Sequence, residues 1–354
     1  MHTLRLTRPA FVALLLVTAA CGDDPIIVPT DAVERDISFR DTDEDAVVET
    51  DAGSDVPDTT ATDTDDGEAD TAGDAVVDAP DTTVDTGPNL CDRDNDGVES
   101  TACGGLDCND DEPRDRPGVP ERCDFADNNC NGDVNDGIPC VFFGHSGDAL
   151  YEIDPFRGTA NEVGEVPRLL DFDTAPDGTL YGITAEALFS YDERRQRWDE
   201  VGQLGVEDFG ANGLAIDSTS TGFATASNTL YRINLETGAA IIVGDMGVIE
   251  GRVVTSSGDC VIDKGDVLYM TSKDPEDRDR ADDLVIIDSR TGAATLIGQV
   301  GFGRVFGLTA AWGYLFGLTV EGELIEIDVN TGEGNLLMEL GDIGWFGAAS
   351  TPAR

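Results

Sequence analysis

At 354 residues the chain is long enough for two domains, but 72 acidic side chains against 22 basic ones leave a formal net charge of −50. No basic patch is visible, which excludes nucleic-acid binding, because contact with phosphate needs clustered Lys and Arg. Acidic and apolar residues are segregated along the chain rather than mixed, so length alone overstates how much of it packs.

Residues 1–20 have the layout of a secretory signal. Arg5 and Arg8 precede an apolar run at 11–17, followed by the small residues Thr18-Ala19-Ala20 and then Cys21. The run is too short to span a bilayer. Thr18-Ala19-Ala20-Cys21 resembles the lipobox of bacterial lipoproteins, with Thr18 where Leu is usual. The resemblance implies that Cys21 becomes the acylated N-terminus and anchors the protein in a membrane. Gly22 after it resembles lipoproteins sorted to the outer membrane, so the expected location is the cell surface, with the periplasmic side as the alternative.

Residues 22–90 carry 22 Asp or Glu against two Arg, with Phe39 as the one aromatic residue. Such a segment buries too little apolar area to offset its ordering entropy. Residues 21–90 are therefore expected to form the lipidated cysteine and a disordered, self-repelling acidic tether.

Six of the eight cysteines then fall within residues 91–140: Cys91, Cys103, Cys108, Cys123, Cys130 and Cys140. In an exported chain this is a disulfide framework, needed where Leu, Ile, Val and Phe are scarce. The spacing does not select a connectivity, and a bridge between the flanking Cys91 and Cys140 is the working assignment. Zinc would call for thiolates or imidazoles, often as CxxC; no CxxC occurs, and no His lies between residues 91 and 140. The acids are more specific. Asp92-x-Asp94-x-Asp96-Gly97 places oxygens at alternate positions before a glycine, the first half of an EF-hand-like calcium loop. Asp127-x-Asn129-x-Asn131-Gly132 repeats the spacing with amides. Alternate side chains on a tight turn converge on one centre, and Val98 and Asp133 follow as further donors. Position twelve of each loop is Cys103 or Ile138 instead of Glu, so remaining ligands must come from Asp107, Asn109, Asp110, Asp111 or Asp124.

These stretches, together with Asp107-Cys108-Asn109-Asp110, Pro117-Gly118, Glu121-x-Cys123-Asp124 and Asp127-Asn128-Asn129-Cys130-Asn131-Gly132, resemble the metal-binding repeat of MopE-type bacterial surface proteins. Phe125 stands where that family usually has Gly, and Asn135-Asp136 replaces its usual Asp-Glu. The resemblance implies a metal-binding module of about fifty residues. The family is linked by name to copper, which favours imidazole and sulfur ligands. This module offers oxygens, so calcium is expected and copper is the alternative.

From residue 141 one phrase recurs: ALYEIDPFRGT at Ala149, ALFSYDERRQ at Ala187, TLYRINLETG at Thr229, DLVIIDSRTG at Asp283 and ELIEIDVNTG at Glu323. Apolar-polar alternation ending in Asp or Asn, with Gly four residues on, describes a strand entering a tight turn. Spacings of 38, 42, 54 and 40 residues suit propeller blades of four short strands. Inner strands are expected near Asp171, Gly213, Arg252, Phe306 and Phe346; second strands near Val141, Thr179, Gly222, Val267 and Tyr314; and fourth strands near Ala160, Trp198, Ala239, Ala294 and Asn335. Each class occurs five times, and the strand near Phe346 would complete the blade begun at Val141. The fold expected is thus all-β: a five-bladed β-propeller over residues 141–354, preceded by the small loop-dominated module of residues 91–140. The phrase also resembles propeller repeats of secreted bacterial proteins, which implies a fold and not an activity.

Catalytic sets are sparse. His2 and His145 are the only histidines, and neither GxSxG nor HExxH occurs. Asp171 and Asp173 keep open a propeller hydrolase or lactonase working through carboxylates and a metal. Segments entering the inner strands are expected to bring Arg168, Asp171, Asn212, Arg252, Arg304 and Trp345 to one mouth of the channel, where a protein or carbohydrate ligand would bind. Cys260 is expected to be an inert thiol. No catalytic residue is assigned.

Overall fold

The computed structural model describes residues 90–205 and 210–350. The expected signal peptide, Cys21 and the acidic linker up to residue 89 lie outside the described residues. From Phe142 onward the described residues form five four-stranded antiparallel sheets. The first holds β1 (Phe142–His145), β2 (Ala149–Asp154) and β3 (Thr159–Glu165). The second holds β4 (Asp171–Thr174), β5 (Leu180–Ile183), β6 (Ala187–Asp192) and β7 (Arg197–Gln203). The third holds β8 (Ala211–Ile216), β9 (Gly222–Ala226), β10 (Thr229–Ile233) and β11 (Ala240–Asp245). A hairpin of β12 (Val248–Ile249) and β13 (Arg252–Val253) follows. The fourth sheet holds β14 (Thr255–Ile262), β15 (Leu268–Lys273), β16 (Asp283–Ile287) and β17 (Ala294–Gln299). The fifth holds β18 (Val305–Ala311), β19 (Tyr314–Thr319), β20 (Glu323–Ile327) and β21 (Gly334–Glu339). Finally β22 (Gly347–Ala349) pairs antiparallel with β1 and completes the first sheet. The result is a five-bladed propeller closed by its last strand, which leaves no open gap between first and last blades.

The recurrent phrase builds the turn after each third strand. The side-chain oxygens of Asp154, Asp192, Asn234, Asp288 and Asp328 each accept the backbone N–H groups two and three residues on, at 2.7–3.3 Å. Gly292, in the turn of the fourth blade, has φ +83 and packs against the backbone of Gly244 in the outer strand of the third blade. A Cβ on Gly244 would run into the carbonyl of Thr291, so glycine is required on both sides of the contact. The same pairing joins Gly202 to Gly238 and Gly298 to Gly332. It is the physical content of the recurring TG and VG.

Five buried apolar clusters hold the blades together. That between the last and first blades contains Phe142, Phe316, Leu318 and Trp345, all essentially inaccessible to solvent. Arg252 does not begin an inner strand. The hairpin of β12 and β13 displaces the inner strand to Thr255, and together with the loop between β15 and β16 it accounts for the longest repeat spacing.

Inner strands of neighbouring blades expose backbone N–H groups to one another, and acidic side chains take them up. Asp171 accepts from Leu214 N at 2.5 Å, Asp173 from Ile216 N at 2.8 Å, and Asp282 from Val305 N at 2.9 Å. Asp259 accepts from Leu308 N at 2.6 Å and Ala348 N at 3.2 Å, tying three blades together. These bonds satisfy donors that no sheet ladder reaches.

Residues 91–140 contain one short 3-10 turn, Thr101–Cys103, and are otherwise loop. Their bridges are Cys91–Cys103, Cys108–Cys130 and Cys123–Cys140. The flanking pairing of Cys91 with Cys140 is therefore corrected: each flanking cysteine closes a short local loop, and the central bridge crosses the module. The module rests on the first and last blades. Arg157 donates to the carbonyls of Val134 and Asn135, both at 2.9 Å, while Phe125 sets its ring edge-on against Phe156 and Tyr314 at centroid distances of 4.8 and 5.5 Å.

Candidate metal site

The first acidic loop converges. Asn95 and Gly97 both adopt left-handed backbone angles, φ 61 and 90, which coil the chain so that Asp92, Asp94 and Asp96 face one side. One carboxylate oxygen from each lies within 4.8 Å of the others. Asp94, Asp107 and Asp110 form a second group by the same measure. Asp107 comes from a separate segment, held in place where Ser100 and Asp107 bridge as neighbouring strands.

The carboxylates of this cluster divide their labour. Asp94 Oδ1 accepts the N–H of Asp96, Asp96 Oδ1 that of Val98, and Asp107 Oδ1 that of Asn109, at 3.1, 2.8 and 2.8 Å. The other oxygens, Asp94 Oδ2, Asp96 Oδ2 and Asp107 Oδ2, are buried without a hydrogen-bond partner, as is Asp92 Oδ1. Asp107 is completely buried. Burial without a partner costs a polar oxygen about 1–3 kcal/mol, and more when it is charged. Desolvation, and then the like charges of Asp96, Asp107 and Asp92, hold the Asp94 carboxyl above its ordinary range against the lowering hydrogen bond from Asp96 N. A hard cation reverses every one of these penalties, and the donor set is all oxygen, as calcium or magnesium requires. Arg116 is the cluster's local cation, with Nε 3.7 Å from Asp96 Oδ2 and Nη1 donating to the Asp96 carbonyl.

In the second predicted loop most polar groups are engaged within the protein, although Asn129 Oδ1 is buried without a hydrogen bond. Asp127 spends both oxygens on the N–H groups of Asn131 and Gly132, at 3.1 and 2.7 Å. Asn129 and Asn131 each donate Nδ2 to Asp136 Oδ1 at 2.9 Å, and Asn131 Oδ1 accepts the N–H of Asp133. These bonds hold the Asp136 carboxyl below its usual range. Asn109 turns from the cluster to donate to Asp115 at 2.9 Å, and Asp124 accepts from Ala126 N and ion-pairs with Arg122. Val98 contributes its N–H to Asp96, Asp133 is exposed, and Asp111 pairs with Arg93. Two residues that the spacing did not single out hold this half together. Buried Asp115 accepts from Asn109, Asn128 and Arg122, which lower its carboxyl despite desolvation, and Glu121 accepts the N–H groups of Asn129 and Asn135.

The residues expected at the channel mouth do not form one site. Trp345 is wholly buried in the core between the last and first blades, edge-on to Tyr151 at 5.1 Å, because a large ring beside Gly144 fills the inter-blade gap. Arg252 is engaged by Asp283 and Asp274, and Arg304 by Glu321. Arg168 is exposed, while Asn212 donates to Ser256 O at 3.4 Å. Asp171 is completely buried and faces buried Asp259. Desolvation and the neighbouring carboxyl push Asp171 well up, and burial raises Asp259 too. Burial pushes the thiol of the free, buried Cys260 up as well.

A family model of copper-binding MopE type, described as "Putative metal-binding motif", matches residues 107–136. No curated protein matches the sequence. Among solved structures, a nidogen/laminin complex is similar at 13% identity over 59% of this chain and 97% of that one, with a TM-score of 0.41. Virginiamycin B lyase from Staphylococcus aureus is similar at 13% identity over 56% and 70%, TM-score 0.35, and a streptogramin B lyase at 12% over 58% and 71%, TM-score 0.34. Similarities this loose carry no inference about activity.

Proposed function

We propose that the chain is an exported bacterial lipoprotein, anchored in the outer membrane through an acyl chain on Cys21 and displayed at the cell surface on its acidic linker. A calcium-ordered disulfide module then precedes a propeller that binds a protein or carbohydrate without catalysing a reaction. The observation that carries the metal assignment is the set of buried oxygens of Asp92, Asp94, Asp96 and Asp107 that no hydrogen bond satisfies. Asp92, Asp94, Asp96, Asp107 and Asp110 would hold the ion, which would neutralise carboxylates that otherwise repel one another and so order a segment with little apolar core. Copper fits this donor set poorly, since the six cysteines of the module are all bridged and it contains no histidine.

A hydrolase would draw on Asp171 and Asp259. Their oxygens receive backbone N–H groups of Leu214, Leu308 and Ala348, and this supports a blade-closing role instead. Calorimetric titration of the full chain with calcium and then copper(II) tests the metal assignment. Saturable calcium binding that copper does not displace is expected, stabilising the module by about 2.7 kcal/mol at a hundredfold excess over Kd. Displacement of calcium by stoichiometric copper would contradict it.

A further inference from the structure

We infer that the carboxylate cluster holds two divalent cations, bridged by Asp94. The inference rests on the metal assignment above and adds its stoichiometry. The acids form two groups, Asp92–Asp94–Asp96 and Asp94–Asp107–Asp110, each compact to within 4.8 Å, with Asp94 common to both. Oxygens around one calcium ion at about 2.3–2.6 Å are at most about 5 Å apart. Each group therefore fits one coordination sphere, and Asp94 belongs to two.

The unpartnered oxygens are distributed to match. Asp92 Oδ1 belongs to the first group, Asp107 Oδ2 to the second, and Asp94 Oδ2 to the shared residue; Asp96 Oδ2, also in the first group, has no hydrogen bond but lies 3.7 Å from Arg116 Nε. Asp107 is completely buried and contributes to the second group alone, so that group has its own reason to attract a cation. Asp110 completes it, held in place by the N–H of Arg93 on its Oδ1 at 2.8 Å.

Charge gives the same count. Five carboxylates meet here, and Arg116 compensates one of them through Asp96. The four remaining negative charges equal those of two divalent ions. One ion would leave two uncompensated carboxylates around a fully buried Asp107.

Native mass spectrometry of the full chain with calcium, in millimolar magnesium to saturate loose sites on the acidic linker, tests the inference. The wild type should retain two tightly held calcium ions. Asp110→Asn should retain one, and Asp94→Asn should lose both or bind them at least tenfold more weakly, with the three disulfides intact in each variant. A wild type saturating at one ion would overturn the inference and leave the calcium assignment standing, as would an Asp110→Asn variant with unchanged stoichiometry. A wild type that retains none would overturn both.

Discussion

The module and the propeller are both rich in Asp, and they differ in how closely the buried carboxylates are gathered. In the propeller, buried carboxylates meet backbone N–H groups: Asp171, Asp173, Asp259 and Asp282 each reach an inner strand of a neighbouring blade. In the module, Asp92, Asp94, Asp96 and Asp107 each keep one oxygen buried without a hydrogen bond and gather at one place, whereas of the four propeller carboxylates only Asp259 keeps such an oxygen. The propeller also has five apolar clusters to stabilise it, whereas residues 91–140 depend on three bridges. Protein donors meet Asp115, Asp127 and Asp136 in the module as they do the carboxylates of the propeller, so what sets the module apart is the gathering of several carboxylates with an oxygen to spare.

Reduction should separate the two regions most strongly. Losing a bridge removes about 2–4 kcal/mol, so mild reductant should unfold residues 91–140. The propeller, whose Cys260 is a free buried thiol, should retain its far-ultraviolet sheet spectrum. Simultaneous loss of both would show that the propeller depends on the module.

A smaller effect lies at the propeller's centre. Desolvation lowers buried His145 from 6.5 to about 4, although its hydrogen bond to the Ser146 carbonyl opposes the shift. A histidine lowered on folding stabilises the protein above its unfolded value, and that stability is lost as pH falls from about 6.5 toward 4, by about 3 kcal/mol in full. Asp171 and Asp259, raised on folding, act in the opposite sense, so the comparison must be made between variants. Urea midpoints of wild type and His145→Gln, measured from pH 7 to 4, should converge as pH falls. Parallel curves would remove His145 from the account.

The weakest test addresses the joint between the regions. Arg157→Ala removes two charge-assisted bonds to the module's carbonyls, and a loss of about 1–3 kcal/mol in the module is expected. Thermal melts should show it chiefly in residues 91–140, with a smaller loss in the propeller, where Arg157 also pairs with Asp154 at 3.0 Å.

Much of this was legible in the sequence because it is local. The Asp or Asn with glycine four residues on forms a turn in place, so five repeats revealed five blades; Arg252 misled only because a hairpin intervenes. Asp92, Asp94 and Asp96 were legible for the same reason. The distant contacts were not. Asn129 and Asn131 have calcium-loop spacing but donate to Asp136, a choice that an amide permits and a carboxylate does not. The disulfide pairing, the meeting of Asp171 with Asp259 and the burial of Trp345 depend on topology rather than spacing. Phe125, anomalous as a loop residue, becomes intelligible once Phe156 and Tyr314 lie against it.

The central claim is that a hard cation orders the module by occupying the unpartnered oxygens around Asp94. Amide hydrogen exchange of the full chain, with calcium and after chelation, tests it most directly. Chelation should speed exchange across residues 91–116 at least tenfold while the propeller strands are unaffected. Equal protection of those residues in both conditions would contradict it.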